Sequence, residues 1–372
     1  LYDIFGTPFG WIMRLIYQLV NNYGVAIVLF TIITKILLFP ISYKQQKNTL
    51  RMQLIQPKLK KLQAKYKDKP QELQQAQMQL YQEEHVNPMS SCLPMFLQFF
   101  LLFGVLDVVY KPLTHILHYS KSVISKVVEI STGILGDSVA KQYTGLRQEL
   151  GVLKAFQDNP SAFSNVDTFD TSKVSDFMEH FTVFGVNLGE TPTWHPEVWN
   201  TSAVILFCIP LLSGILQLIM TIYMQIMQKK RGTAPEQNMG CMNVMLYVMP
   251  LFSVWFAFQV SAGVGFYWAC SSFFSLLQTI GLNLYFTPER GAKIIEKENK
   301  KMEARYAAGK QSFTERVMDQ NAGAARVQET EKTKNMSNRE LSSYNKQKIQ
   351  EARKRMAEKY GETYEEDSSD ED

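Results

Sequence analysis

Lys35 is the only charge in an apolar run from Tyr23 to Tyr43. It stands about eight residues before the end of that run, roughly 12 Å at helical rise. Snorkelling covers only about half that distance, and a bare ammonium near mid-bilayer costs on the order of 3 kcal/mol. Thr31 lies one turn earlier, and Gln98, Gln217, Gln259, Gln278 and Asn283 are spread over the other apolar runs. Facing a common interior, these groups would make a hydrated groove in which Lys35 stays charged and attracts a carboxylate. The competing readings are a snorkelling lysine with local bilayer thinning and separate interhelical hydrogen bonds. The chemistry on offer is charge attraction rather than bond making. The sequence has no H-E-x-x-H and no G-x-x-x-x-G-K-[ST] loop, so it implies neither an enzyme nor a cofactor. His115, His118, His180 and His195 lack metal-ligand spacing, and Cys92, Cys208, Cys241 and Cys270 read as small buried packing residues.

The elements that must position these groups follow from hydropathy. The charged fraction of 20% is that of an ordinary soluble protein, yet charge is nearly absent from five runs: 23–43, 93–109, 201–227, 242–260 and 264–286. Each meets or approaches the roughly 20 apolar residues that a helix needs to cross a bilayer. Pro94 and Pro210 are tolerable where neighbouring helices supply partners. Between Lys44 and Cys92 there are nine Lys/Arg against four Asp/Glu, and the 228–241 loop adds Lys229, Lys230 and Arg231. Residues 110–200 carry seven Lys/Arg against ten Asp/Glu. The positive-inside rule therefore puts the N-terminus outside and the tail in the cytoplasm.

Residues 1–22 read as an interfacial amphipathic helix started by Thr7 and Pro8, with Phe9, Ile12, Ile16, Leu19 and Val20 on one face. The alternative is the start of the first span. The chain opens on Leu1 rather than Met, as if residues preceded it. In 44–92, Leu50, Leu54, Ile55, Leu59, Leu62 and Tyr66 form one helical stripe and Leu73, Ala76, Leu80 and Tyr81 another, across a turn at Lys67-Asp68-Lys69-Pro70. This is a cytoplasmic helical hairpin whose basic outer faces are either solvated or a docking surface. The 110–200 loop contains amphipathic patterns at 116–128 and 139–153 that lie on the membrane surface or cap the bundle. Positions 287–361 carry net +7 and the last eleven residues hold seven acids. That tail reads as disordered or loosely helical, either solvated or bound to anionic lipid or ribosomal RNA.

At this point the sequence resembles the YidC-type (YidC/Oxa/Alb) membrane protein insertases. The resemblance rests on Tyr23-Gly24-Val25-Ala26-Ile27, the intramembrane charge followed by Phe39-Pro40, Gln56-Pro57-Lys58, Val86-Asn87-Pro88 with Cys92-Leu93-Pro94 and Gln98, Met249-Pro250, and Gly263 followed by Tyr267-Trp268. It covers roughly residues 1–110 and 180–287. It implies an all-α membrane protein with five transmembrane helices around a hydrophilic groove, open to cytoplasm and lipid, and a cytoplasmic helical hairpin. By position it implies that Lys35 is the groove charge meeting a client's acidic tail. Thr31, Gln98, Gln259 and Gln278 would line the groove, and Tyr267 and Trp268 would contact the client helix. The family usually has arginine where this chain has Lys35, and the insertion around Thr114–Met178 has no counterpart in it.

The reading that unites these observations is a multi-pass insertase and folding chaperone of a bacterial cytoplasmic membrane, of the form without a large periplasmic domain. Its partners would be nascent membrane proteins, the ribosome, the Sec translocon and anionic lipid, with no small-molecule substrate. The rivals are a scaffold that assembles membrane complexes without inserting anything and an anion transporter or channel, which would favour internal repeats.

Overall fold

Helix α1 (Tyr2–Val20) begins five residues before the expected Thr7-Pro8 start, so Pro8 lies inside it. The computed structural model describes residues 2–67, 69–84, 86, 93–231, 240–307, 343 and 346. Asn21 takes a left-handed φ of 45°, and Asn22 then caps the next helix by accepting a hydrogen bond from Val25 N at 2.9 Å. That helix, α2 (Tyr23–Lys65), is 43 residues long and contains both Pro40 and Pro57. The sequence reading ended the first apolar run at residue 43, where composition switches from apolar to basic. In the structure, tertiary contacts hold the helix beyond that point: Leu50 packs with Leu282, Phe286 and Ile295, and Ile55 and Leu59 pack with Leu80 and Val86. Helix α3 (Pro70–Glu83) supplies Leu80, and Lys58 Nζ lies 2.5 Å from Glu84 Oε1 just beyond it. The hairpin exists, but its first arm is the continuation of α2. Its outer limit at 87–92, like Asp68 in its turn, is outside the described residues.

Helix α4 (Leu93–Tyr110) packs along α1 at unusually close range. A Cβ on Gly6 would overlap the Asp107 carboxylate, one on Gly10 the His115 ring, and one on Gly104 the Phe9 ring. Buried apolar burial is therefore only part of this contact. Asp107 is fully buried and lies 2.6 Å from Lys111 Nζ and 2.7 Å from His115 Nε2. Helix α1 thus turns Met13, Ile16 and Tyr17 inward and leaves Trp11, Leu15 and Leu19 exposed. Leu19, expected on the inner face, is on the outer one.

Residues 112–190 fold into a cap: α5 (Pro112–His115), α6 (Lys121–Ala140), α7 (Gln148–Asp158), α8 (Thr171–His180) and a two-stranded antiparallel hairpin, β1 (Thr182–Val183) with β2 (Val186–Asn187). The register pairs Thr182 with Asn187 and Val183 with Val186. Val127, Val152, Phe163, Val174 and Phe177 from the cap share one apolar core with Tyr23, Val109 and Val264 of the long helices. The 112–190 segment therefore packs directly onto the long helices.

Glu149 is buried at the start of α7 and accepts hydrogen bonds from Thr114 N at 3.0 Å and Thr114 Oγ1 at 2.5 Å. Burial raises its pKa above the usual 4.5, against the opposing pull of those hydrogen bonds. A carboxyl that binds its proton more tightly when folded contributes stability fully present below pH 4.5, and lost as pH rises through its higher folded value. Hydrogen exchange of 148–158 is therefore expected to be slower near pH 4.5 than at pH 7.5 after correction for intrinsic rates. Glu149→Gln should flatten that dependence, and an unchanged profile would remove Glu149 as its cause.

The chain continues through α9 (Thr201–Lys230), α10 (Gly240–Ala257), α11 (Ala262–Tyr285) and α12 (Pro288–Ala307). Helix α9 packs against both α10 and α11, and α11 also packs against α2. Close approach is again set by small residues, since a Cβ on Gly214 would run into Val254. By length and composition α2 and α9 are apolar enough to cross a membrane, and 97–110 is a shorter apolar helix. Cys270 is half-buried, but Cys208 is exposed on α9, contrary to its expected packing role; Cys92 and the Cys241 side chain are outside the described residues. The described residues up to Glu296 form one compact unit. Of the tail expected to be disordered or loosely helical, Pro288–Ala307 form α12; its binding role and, apart from Ser343 and Lys346, its remainder lie outside the described residues.

Candidate functional site

Two helices bring the polar residues of the apolar core together. Lys35 Nζ on α2 donates to Ser275 Oγ on α11 at 2.7 Å. An ammonium has three donors, and this bond uses one of them. One turn further along α11, Gln278 is half-buried, and its Nε2 is buried with no hydrogen-bond partner among the described residues. Lys35 and Gln278 thus both keep donors that these bonds do not use.

The seam continues to both sides. Toward the cap, Thr31 is fully buried, but its hydroxyl donates to Ile27 O at 2.7 Å within its own helix. Thr34 does the same toward Phe30 O and Thr31 O, at 2.9 and 2.8 Å. These back-bonds satisfy the hydroxyls locally, so Thr31 lines the seam without offering a free donor. On α11, Tyr267 is 1% exposed and places its ring 6.3 Å from Phe30. Away from the cap, Gln46 Nε2 donates to Asn283 Oδ1 at 2.9 Å. Arg231, at the end of α9, donates to Asn283 O, Phe286 O and Gln53 Oε1 at 3.4, 3.2 and 3.3 Å. Those carbonyls belong to the end of α11, where helix geometry leaves acceptors open.

The chain matches the family described as 60Kd inner membrane protein over residues 15–290, a stretch that includes every residue of this seam. It belongs to that family. Among curated proteins it is similar to the membrane protein insertase YidC of Granulibacter bethesdensis, 42% identical over 103 residues, 28% of this chain and 18% of the relative. The Caulobacter vibrioides protein of the same name is 41% identical over 111 residues, 29% of this chain and 18% of the relative. That of Francisella tularensis subsp. novicida is 44% identical over 96 residues, 26% of this chain and 17% of the relative. The matched part spans less than a fifth of these relatives' own length.

For this 60Kd inner membrane protein family member, the expected site residues divide into three groups. Lys35, Thr31 and Gln278 fall on the two seam helices, and Asn283 extends the same row. Gln98 is half-buried on α4, the helix that packs along α1, and Gln217 is half-buried on α9. Gln259 does not belong to the seam: it follows the end of α10, its side chain is exposed, and its backbone carbonyl accepts a hydrogen bond from Arg147 of the cap. The two aromatics also separate, since Tyr267 is enclosed in the core while Trp268 is half-buried against Phe256 at 5.4 Å.

Sequence reasoning missed Ser275 and Ser271. Serine carries little signal in an apolar run, although Tyr267, Ser271, Ser275 and Gln278 recur at helical spacing and could have been found by projecting α11 onto a wheel. It also missed the Asp107–Lys111–His115 cluster, whose members lie four residues apart across the α4–α5 junction; of these only His115 was weighed, and only for metal ligation.

Proposed function

We propose that this chain inserts membrane proteins and assists their folding, with Lys35 meeting the acidic tail of a client between α2 and α11. The Lys35–Ser275 pair carries the reading. A lysine held inside an apolar bundle by one neutral hydroxyl has spare donors and a net charge, and a carboxylate compensates both. The name shared by the curated relatives agrees with this activity. The crossings are α4, α9, α10, α11 and the first half of α2, with the cap outside and α3 in the cytoplasm, as the basic residues of 44–92 and 229–231 favour. The cap then closes the outer end, so a client enters from the cytoplasmic side. Trp268 contacts the client helix, while Tyr267 holds α11 against α2 and Gln98 lines the path.

The driving force is burial of the client's own apolar helix in lipid. Lys35 lowers the barrier for its tail, and no nucleotide is consumed. The proposed partners are nascent membrane proteins, the ribosome, the Sec translocon and anionic lipid at the cytoplasmic face. The test is protease protection of a newly synthesised single-span client in liposomes with and without the purified protein. Protection only with the protein is the expected result. Its absence, with the protein folded and correctly oriented, would replace insertion with a scaffold role or a required Sec partner.

A further inference from the structure

The turn joining β1 to β2 carries the wrong residue for water. Phe184 and Gly185 both have left-handed φ values, 50° and 78°, the pattern of a two-residue hairpin turn that prefers Asn-Gly or Asp-Gly. Phenylalanine is strained in that region, and here its side chain is also 75% exposed. The hairpin cannot simply tuck it away, because its base is fixed between two helices. A Cβ on Gly24 of α2 would lie 2.9 Å from Thr182 O. Gly263 N and Ala262 N, at the start of α11, donate to Leu188 O and Glu190 O at 2.8 and 2.6 Å. The tip is thereby held at the level of the first turns of α2 and α11, with the Phe184 ring 6.2 Å from Phe266.

A second aromatic group lies at the ends of the neighbouring helices. Trp194 stacks on Phe258, just past α10, with centroids 3.7 Å apart. Trp199 lies 5.3 Å from Phe207 in the second turn of α9. Both tryptophans, and Val198 between them, are exposed. Along α9 the exposed apolar surface continues through Val204, Leu212, Ile215 and Ile219.

We infer that Phe184, Trp194 and Trp199 form a rim by which the cap dips into the outer leaflet, at the boundary between headgroups and acyl chains. The inference rests on the membrane reading proposed above. Two observations select lipid over a protein partner. The rings sit at the ends of three neighbouring helices, Phe184 by Phe266 of α11 and the two tryptophans about Phe207 of α9 and Phe258 past α10, and the tryptophan group runs into the exposed apolar flank of α9. Aromatic rings with an apolar body suit that interface. Because the hairpin is fastened to both α2 and α11, the rim also sets the depth of the helix pair that carries Lys35 and Ser275.

The experiment places an NBD fluorophore at position 184 through Phe184→Cys, in a chain whose four native cysteines are replaced by alanine, reconstituted in vesicles without client. Lipids brominated near the top of the acyl chain should quench it, and aqueous iodide should not. A label at Ser164→Cys, exposed on the cap, should behave oppositely. One at Ile215→Cys in α9 should be quenched by brominated lipid if α9 spans the bilayer, which separates failure of the rim from failure of the membrane reading. Iodide access at 184 without bromine quenching would overturn the inference, and so would shielding from both, which means coverage by protein. If the cysteine-free chain does not fold, benzoylphenylalanine at 184 in the native chain reads the same contact. Lipid adducts support the rim, and adducts to protein or none overturn it.

Discussion

Replacing Lys35 with alanine is expected to reduce insertion of a client with an acidic translocated tail about tenfold, and to change a neutral-tailed client by less than about twofold. Two unit charges near 4 Å attract by about 4 kcal/mol at an effective dielectric of 20. Desolvation of the client carboxylate offsets much of that, and a remainder of about 1.4 kcal/mol corresponds to tenfold. Lys35→Arg should retain most activity, since charge is kept while the hydrogen-bond geometry changes. Lys35→Glu should fall below the alanine variant on acidic tails and improve on basic ones. The measurement is the initial rate of protease-protected product in proteoliposomes, with matched clients differing only in tail charge. Equal losses on acidic and neutral tails would reject charge attraction while leaving the seam as a hydration path.

The second large effect is expected at Gly10. Gly10→Leu would drive a side chain into His115, whose ring Cγ would already lie 2.7 Å from a bare Cβ. His115 is fixed by its 2.7 Å contact with Asp107, which is itself buried, so the obstacle is a charged cluster rather than a yielding aliphatic chain. Overpacking of this kind costs about 1–3 kcal/mol, and loss of the His115 hydrogen bond to the buried Asp107 adds about 1–3 kcal/mol. We expect a loss of roughly 3 kcal/mol, because α1 can relieve the overlap by lifting away from α4 at the expense of its apolar contacts. Thermal unfolding in detergent should show a clear fall in Tm, with faster hydrogen exchange in α1. Gly10→Ala should produce the same pattern at smaller amplitude. A normal Tm for the leucine variant would mean that α1 is not seated on α4 as described.

What could be read from the sequence was whatever segregates along the chain. The apolar runs at 93–109, 201–227, 242–260 and 264–286 fall within a few residues of α4, α9, α10 and α11, because one hydrophobic stretch fills one helix. Lys35 stood out because a charge in such a run is costly, and its partner could not be found because Ser275 is 240 positions away and serine is common. The start of α1 and the continuity of α2 were misplaced because local signals, Pro8 as a start and the switch to basic composition after Tyr43, were read as helix ends, whereas the persistence of α2 is decided by neighbours such as Leu282 and Phe286. Trp11, Leu15 and Leu19 of α1 came out exposed because close glycine packing against Asp107 and His115 rotates the helix, and no hydropathy pattern encodes that rotation. Tyr267 was expected at a client surface, but its burial against Phe30 depends on how near α11 comes to α2.

The length of α2 has a mechanical meaning. At about 1.5 Å per residue, 43 residues make a rod of roughly 65 Å, about twice the thickness of a hydrocarbon core. One end is clamped by the cap through Gly24 and Tyr23, and the other is an arm braced by α3. A force on that arm would act on the rod as on a lever, with Lys35 between fulcrum and load. Pro40, five residues beyond Lys35, interrupts the backbone hydrogen-bond ladder and supplies a compliant joint. Beyond it Gln46 and Leu50 are fastened to the end of α11, so motion of the far arm is stopped at that second clamp and the ammonium keeps its position.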